Sequence, residues 1–146
     1  RGQSNAIALN LREMMGFSVP IIAIVIGEGG SGGALGVGVA DRVAVLENAY
    51  YSVISPEGCA AILWKDGSKS PQAAEVLKLT GTDLLKMGFI DEVVPEPLGG
   101  AHRDAQKIAL SIKEVILRNL KELEALDKEE LLKLRYKKFR VMGVTA

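Results

Sequence analysis

The sequence is poor in the side chains that form disulfides, metal centres and most catalytic acid–base pairs. Its 146 residues include one cysteine, Cys59, and one histidine, His102. A single cysteine excludes an internal disulfide, and this scarcity fits a reducing compartment. One Cys and one His cannot build a zinc site by themselves, so we expect no metal in this chain.

An excess of one charge and a long apolar run are also missing. Basic and acidic residues number 18 each, which gives a formal net charge of zero and no indication of general nucleic-acid binding. The apolar run at residues 19–26 is too short to span a bilayer, so we expect no membrane segment. The chain begins RGQS, with neither a signal peptide nor an initiator Met, and we expect a C-terminal piece of a longer polypeptide.

The spacing of apolar residues predicts alternating strands and helices, which is typical of an α/β domain with mostly parallel strands. Strands are expected at residues 21–26, 41–46, 49–54 and 89–94. Helices are expected at residues 4–15, 32–40, 55–64, 70–79, 82–87, 101–123 and 127–139. Ser55, Ser70 and Asp127 are predicted N-caps, and the helix at 32–40 is expected to be buried because it is apolar all round.

A glycine cluster after the first strand is the most informative feature of the sequence. The β-branched run at 21–26 leads into GEGGSGG at residues 27–33. Glycines lack a Cβ and let backbone N–H groups approach a ligand, and at a helix start those groups have no partner in the helix. The cluster therefore predicts a main-chain site for an anion, either a phosphate or an oxyanion formed during a reaction.

Two interpretations of the cluster rest on known sequence fingerprints. Residues 27–32 fit the dinucleotide pattern G-x-G-x-x-G, with Glu47 at the spacing expected for a ribose ligand. Residues 29–33 fit the nucleophile elbow G-x-S-x-G, with Ser31, Asp91 and His102 in the chain order of a hydrolase triad.

A third interpretation is an oxyanion hole made of backbone amides alone, from Gly32, Gly33 and Ala34. Such electrostatic stabilisation needs no titrating side chain, which suits a chain so poor in His and Cys. The alternative without chemistry is that the glycines only permit close strand–helix packing, a role that Gly36 and Gly38 could have in any case.

Longer stretches resemble known proteins. EVLKLTG at 75–81, followed by LLKMGFIDEVVP at 84–95, resembles the late segment of crotonase-fold domains. The alpha subunit of the acetyl-CoA carboxylase carboxyltransferase of bacteria and plastids is similar over essentially the whole chain. That similarity is carried by GEGGSGGAL at 27–35, YSVISPEGCA at 51–60, PEPLGGAHR at 95–103, and the two ends, RGQSNAIA at 1–8 and LRYKKFRVMG at 134–143.

The resemblance implies a crotonase-like (ClpP/crotonase) α/β fold of repeated ββα units, truncated here at its N-terminal side and followed by C-terminal helices. It divides the chain into part of a carboxyltransferase domain at 1–100 and a helical extension at 101–146. It implies that a carboxyl group moves from carboxybiotin on a carrier protein to acetyl-CoA, giving malonyl-CoA for fatty-acid biosynthesis. The implied location is the cytoplasm, or the plastid stroma in a plant.

The resemblance also implies partners. A beta subunit with a zinc ribbon would complete the active site, and biotin carboxyl carrier protein and biotin carboxylase would supply carboxybiotin. Coenzyme A thioesters, acetyl-CoA and malonyl-CoA, would be the substrates. The alternatives are a stand-alone crotonase-type acyl-CoA enzyme, a serine hydrolase that uses Ser31, and a non-catalytic partner domain.

Related carboxyltransferases place the biotin side of the reaction on alpha, so Gly32, Gly33 and Ala34 are the expected catalytic amides. The expected substrate-binding residues are Gly29, Gly30, Ser31, Ser52, Ser55, Pro56, Glu57 and Gly58, although N-capping explains Ser55 equally well. Trp64 is expected in the core or an interface. The basic run from Lys133 to Arg140 is expected to be a solvated helix face, or else a contact for coenzyme A phosphates or a partner.

Overall fold

The computed structural model describes residues 2–143, and within them the chain forms five strands and seven α-helices. The strands are β1 (Ile22–Val25), β2 (Glu28–Gly30), β3 (Arg42–Leu46), β4 (Tyr50–Ser52) and β5 (Glu92–Val94). The helices are α1 (Gln3–Met15), α2 (Ser31–Gly38), α3 (Pro56–Trp64), α4 (Ser70–Leu77), α5 (Gly81–Lys86), α6 (Ala105–Glu124) and α7 (Lys128–Val141). Short 3₁₀ turns at Gly67–Lys69 and Ala101–Arg103 precede α4 and α6.

The strands form two parallel sheets. One sheet has the order β1-β3-β5, and the other pairs β2 with β4. The chain therefore passes twice through the same sequence of elements, first β1, β2 and α2, then β3, β4 and α3. This confirms the predicted α/β class and parallel pairing, and the repeated order is that of ββα units.

Strand β3 is the centre of the main core. Residues 43–46 are each at most 2% exposed, because β1 and β5 flank them. Helix α6 adds Ile108 and Val115 to the same cluster. A second, small cluster of Cys59, Ala60 and Ala73 lies between α3 and α4. No helix among residues 2–143 is long and apolar enough to cross a bilayer.

Two predicted helix caps are confirmed and one is wrong. The Ser55 hydroxyl accepts a hydrogen bond from the Gly58 N–H, and the Asp127 carboxylate accepts one from the Glu130 N–H. Ser70 is instead the first residue inside α4, and Lys69 is the N-cap. The reason is that the turn Gly67–Lys69 runs directly into the helix, so the chain is already coiled when it reaches Ser70.

The glycine cluster differs from the prediction in two respects. Residues 28–30 form β2, which was not expected because glycine is depleted in strands; the strand exists because it pairs with β4. Helix α2 is also only partly buried. Ala34 and Gly38 are buried, whereas Leu35 and Val37 remain 59% and 46% exposed, so apolar composition alone overestimated its burial.

The basic run on α7 is not simply a solvated face. The Arg135 side chain has no exposed surface and forms two hydrogen bonds, both 2.8 Å, with the carboxylate of Asp41. Its remaining N–H groups donate to the carbonyls of Met14, Phe17 and Val19. Arg135 therefore fixes α7 to the chain between α1 and β1, which corrects the expectation for this residue.

A second cation of α7 has an equivalent role. Lys138 binds the carboxylate of Asp91, which lies just before β5 as Asp41 lies just before β3. Asp41 accepts a hydrogen bond from the Ile21 N–H and Asp91 from the Val43 N–H, both at 2.7 Å. Each aspartate thus caps the start of the neighbouring strand, and α7 neutralises both carboxylates. The division at residue 100 stays a prediction, and residues 144–146 of the predicted extension lie outside the described residues.

Candidate active site

A cleft of about 370 Å³ lies over the glycine cluster. Its walls come from the end of β1, from β2 and from the first two turns of α2. The lining residues are Ile24, Val25, Ile26, Gly27, Glu28, Gly29, Gly30, Gly33, Ala34, Val37 and Tyr51. The sequence-predicted cluster therefore forms one side of a real cavity.

The start of α2 supplies backbone donors to this cleft. Gly30 is the N-cap in an extended conformation, and no side chain caps the helix. Ser31, Gly32 and Gly33 are the first three residues of α2, and N–H groups at these positions have no carbonyl partner within a helix. Helix position favours Gly32 and Gly33 as donors to a ligand over Ala34. Gly33 and Ala34 line the cleft, whereas the predicted residues Ser31 and Gly32 are not among its lining residues.

Ser31 opens α2 with an unusual backbone. Within residues 2–143, three non-glycine residues have a positive φ: Ser31 at 55°, Lys65 and Lys78. Lys65 and Lys78 end helices, where a left-handed residue is ordinary. Ser31 instead turns the chain from β2 into a helix, so the sharp corner that aims the amides is held at some conformational cost.

The glycines divide into those that pack and those that face open space. A Cβ at Gly29 would lie 2.9 Å from the Tyr51 ring, and one at Gly38 would lie 2.2 Å from the Tyr51 hydroxyl. A Cβ at Gly30, Gly33 or Gly36 would meet nothing within 4 Å. The packing explanation therefore holds for Gly29 and Gly38. It fails for Gly36, for which it was expected, and it leaves Gly33 available to a ligand.

Tyr51 is one of the residues of the cleft that the sequence did not predict. Its hydroxyl donates a 2.8 Å hydrogen bond to the Ala34 carbonyl in α2, and burial raises the pKa of the phenol. It occurs within the stretch YSVISPEGCA, but nothing local in the sequence marks it, because its partners are 13 or more positions away.

The other predicted substrate-binding residues lie further along β4 and at the start of α3. Ser52 pairs with Gly30 in the β2–β4 register, but its hydroxyl donates to the Ile54 carbonyl at 2.8 Å. Ser55 uses its hydroxyl as the N-cap of α3. Residues 52 and 55–58 are not among the lining residues of the cleft in the described part of the chain.

Two carboxylates, Glu28 and Glu57, lie near Tyr50 of β4. Burial raises the pKa of Tyr50, and the neighbouring Glu28 and Glu57 carboxylates raise it further. Glu28 is itself a lining residue of the cleft and faces Tyr50 in the β2–β4 register. Predicted residue Glu57 thus lies close to the strand that borders the cleft.

The structure does not assemble the hydrolase triad. Asp91 lies where the parallel strands begin, bound to the Val43 N–H and Lys138, whereas Ser31 lies beyond the ends of β1 and β2. His102 lines a separate cavity of about 570 Å³ with Asn48 and Glu96. The acid is therefore at the opposite edge of the sheet from the serine.

The dinucleotide interpretation also loses its supporting features. The Glu47 carboxylate accepts a 3.1 Å hydrogen bond from the Glu96 N–H, and Glu96 in turn accepts one from the Asn48 N–H. Glu47 thus fastens the loop after β3 to the loop after β5. Of the three fingerprint glycines, Gly27 precedes β2, Gly29 lies in it and Gly32 lies in α2. Because β2 belongs to a separate sheet from β1, no single strand–loop–helix unit is built around them.

A metal centre has no obvious ligand set in the described part of the chain. Among residues 2–143, no three His, Cys, Asp or Glu side chains converge as they would around an ion. The first amides of α2 lie at a helix start and can bind a negatively charged oxygen.

Comparison with known sequences identifies close relatives. Residues 1–143 match the family described as acetyl co-enzyme A carboxylase carboxyltransferase-like. Acetyl-coenzyme A carboxylase carboxyl transferase alpha subunits of Thermosynechococcus vestitus and Geobacter metallireducens are both 61% identical over 143 residues, which is 98% of this chain and 44% and 45% of theirs. The subunit of Staphylococcus epidermidis is 59% identical. The chain thus spans a little under half the length of these relatives.

Comparison with solved structures identifies the fold. A chain of the Pseudomonas malonate decarboxylase hetero-tetramer, solved in complex with coenzyme A, superposes with a TM-score of 0.69 at 14% identity, over 90% of this chain and 51% of that one. Transcarboxylase 12S, with hydrolysed methylmalonyl-coenzyme A bound, gives 0.52 at 23% identity, over 74% and 21%. The predicted crotonase-like fold is confirmed.

Proposed function

This chain belongs to the acetyl co-enzyme A carboxylase carboxyltransferase-like family, and on that premise we propose that it forms the biotin side of a carboxyltransferase active site. The proposed reaction moves a carboxyl group from carboxybiotin on a carrier protein to acetyl-CoA and gives malonyl-CoA. The observation that carries the proposal is the open first turn of α2, with Gly33 lining a cleft and its amide free of any helix partner.

The amides of Gly32 and Gly33 suit this chemistry because both halves of the transfer place negative charge on an oxygen. Carboxybiotin supplies the carboxyl group and is left with charge on its ureido oxygen, while deprotonated acetyl-CoA is an enolate. Two main-chain N–H groups at a helix N-terminus stabilise such an oxygen and lower the barrier without a proton transfer of their own.

The shape of the cleft suits a planar ring, just as the amides suit a negative charge. No Cβ projects from Gly30 or Gly33, so a planar ring can approach the backbone closely. The lining of the cleft also includes the apolar side chains of Ile24, Ile26 and Val37. Low polarity around the amides strengthens their interaction with a developing negative charge.

The proposed partners are a zinc-bearing beta subunit, which would bring most of the coenzyme A site, and a biotin carboxyl carrier protein served by biotin carboxylase. Exposed apolar residues on α2 and α3 support an interface close to the cleft. Leu35, Ile62 and Leu63 are 59%, 71% and 60% exposed. Large apolar side chains that are exposed together are typical of a surface that binds another protein. We propose a cytoplasmic or, in a plant, a stromal location for this assembly.

The test uses the full-length protein that contains this chain, assembled with its beta subunit. Malonyl-CoA should be consumed when biotin is present and should be stable when biotin is omitted. Turnover by the alpha chain alone, or consumption that does not depend on biotin, would contradict the proposal and favour a stand-alone acyl-CoA enzyme.

Substitution of Gly33 tests the proposal at a single residue, with the same assay. Gly33→Pro removes an N–H that no helix bond needs, because Gly33 lies in the first turn of α2. Loss of an oxyanion donor lowers turnover by about 10²–10³-fold. Gly33→Ala is the matched control: it keeps the N–H and adds a methyl group that meets nothing within 4 Å, so it should be milder. Near-wild-type turnover by both variants in an assembled complex would show that Gly33 is no donor.

A further inference from the structure

Helix α2 is intrinsically a poor helix, although it carries the amides on which the proposed function depends. Gly32, Gly33, Gly36 and Gly38 make up half of its eight residues. Glycine is the least favourable residue in a helix interior apart from proline. The helix also has no side-chain cap, so its position must come from contacts with the rest of the protein.

Tyr51 supplies a contact of the required kind. Its hydroxyl donates to the Ala34 carbonyl at 2.8 Å, and the space that it occupies exists only because residue 38 has no Cβ. Its ring lies against Gly29, where a Cβ would come within 2.9 Å. One side chain thus contacts the strand before α2, the first turn of α2 and the last residue of α2.

The topology makes this contact a brace across the β2–α2 corner. β2 leads directly into α2 through Ser31, and β2 is paired with β4, which carries Tyr51 opposite Gly29. The bond from Tyr51 to Ala34 therefore links the end of the corner back to the sheet from which the corner starts. Without it, α2 is held by the left-handed backbone of Ser31 and by its packing against α1.

We propose that Tyr51 is a positioning residue, whose hydroxyl holds the Ala34 carbonyl and thereby aims the Gly32 and Gly33 amides into the cleft. This inference rests on the proposed function and adds a side chain to a site otherwise made of backbone. Burial keeps the phenol protonated by raising its pKa, so it remains a hydrogen-bond donor at working pH.

The experiment compares three variants of the full-length protein in its complex with the beta subunit. Tyr51→Phe removes only the hydroxyl and keeps the ring against Gly29. Gly38→Ala added to Tyr51→Phe places a methyl group in the space that the hydroxyl occupied, 3.5 Å from the ring carbon, and improves helix propensity. Tyr136→Phe, on the exposed side of α7, makes the same chemical change far from the cleft.

Tyr51→Phe should lower kcat at least about 5-fold, the typical worth of one hydrogen bond, with little change in KM for malonyl-CoA. The double variant should recover thermal stability but not kcat, which a purely structural role could not produce. Tyr136→Phe should match wild type. Wild-type kcat in Tyr51→Phe, or kcat that returns together with stability in the double variant, would overturn the proposal.

Hydrogen exchange tests the brace without an activity assay. In Tyr51→Phe, amides of a peptide covering residues 31–38 should exchange at least about 5-fold faster than in wild type. Unchanged exchange would refute the brace even if the complex is active. A wild-type complex that transfers no carboxyl group, with exchange still faster in Tyr51→Phe, would instead refute the proposed function and leave the brace standing.

Discussion

Removing the guanidinium of Arg135 should destabilise the protein more than any other single change on α7. The side chain is fully buried and its partner Asp41 is 3% exposed, so water cannot solvate either charge if the ion pair is broken. Arg135→Met keeps the length and helix propensity of the side chain. It leaves the Asp41 carboxylate buried without its counter-charge.

The magnitude follows from what is left behind. Breaking a buried ion pair by removing one partner costs about 3–5 kcal/mol. The carbonyls of Met14, Phe17 and Val19 also lose donors at 3.0, 2.7 and 2.9 Å, which places Arg135→Met in the upper half of that range. Arg135→Lys keeps the charge but cannot reach both carboxylate oxygens and the carbonyls, so we expect a loss of about 2 kcal/mol.

The assay is urea unfolding of the full-length chain, monitored by circular dichroism. The free energies of unfolding are compared between variants whose m-value, the dependence of that free energy on urea concentration, is unchanged. Arg140→Met is the control, because this exposed residue of the same helix should change stability by no more than about 0.5 kcal/mol. Adding Asp41→Asn to Arg135→Met should restore part of the loss, since the buried charge is then gone. Equal unfolding free energies for Arg135→Met and Arg140→Met would refute this account of α7.

Two further predictions concern the cleft and the loop after β5. Ser31→Ala should retain most carboxyl transfer in the assembled complex, because Ser31 has no triad; a loss near 10⁴-fold, as for a covalent nucleophile, would restore the hydrolase interpretation. Burial alone would raise the pKa of Glu96, but hydrogen bonds from Asn48 and Ala101 and the nearby His102 outweigh it and lower the pKa below its ordinary 4.5. Its contribution to stability should thus be present above pH 4.5 and be lost as the pH falls through the lowered pKa, so Glu96→Gln should flatten the decline of the urea midpoint on the acid side.

Much of this architecture is local, and local signals predicted it. The caps at Ser55 and Asp127 are bonds between residues three positions apart, so the sequence displays both partners together. The alternation of strands with helices is an equally local signal, and so is the glycine cluster that directly follows a β-branched strand. They are sufficient to predict an anion site at the start of α2, because unpaired amides are a property of every helix start.

The chemistry proposed for that site rests on a longer pattern. Three interpretations of GEGGSGG remained open on the residues alone, and the resemblance of whole stretches favoured the oxyanion hole. The structure weakened its rivals by position: Asp91 lies at the opposite edge of the sheet from Ser31, and Glu47 is engaged by Glu96. Which edge a residue occupies depends on strand order, and spacing along the chain does not encode strand order.

Tertiary structure alone decided which glycines pack and which stay open, and which cation of α7 is buried. Gly33 and Gly38 look alike in sequence, but Tyr51 comes to lie on Gly38 and leaves Gly33 free. Arg135 and Asp41 are 94 positions apart, and β2 is a strand only because β4 lies beside it. Periodicity and capping report the interactions of a residue with its near neighbours in the chain, whereas these outcomes depend on contacts that exist only once the sheets and α7 have come together.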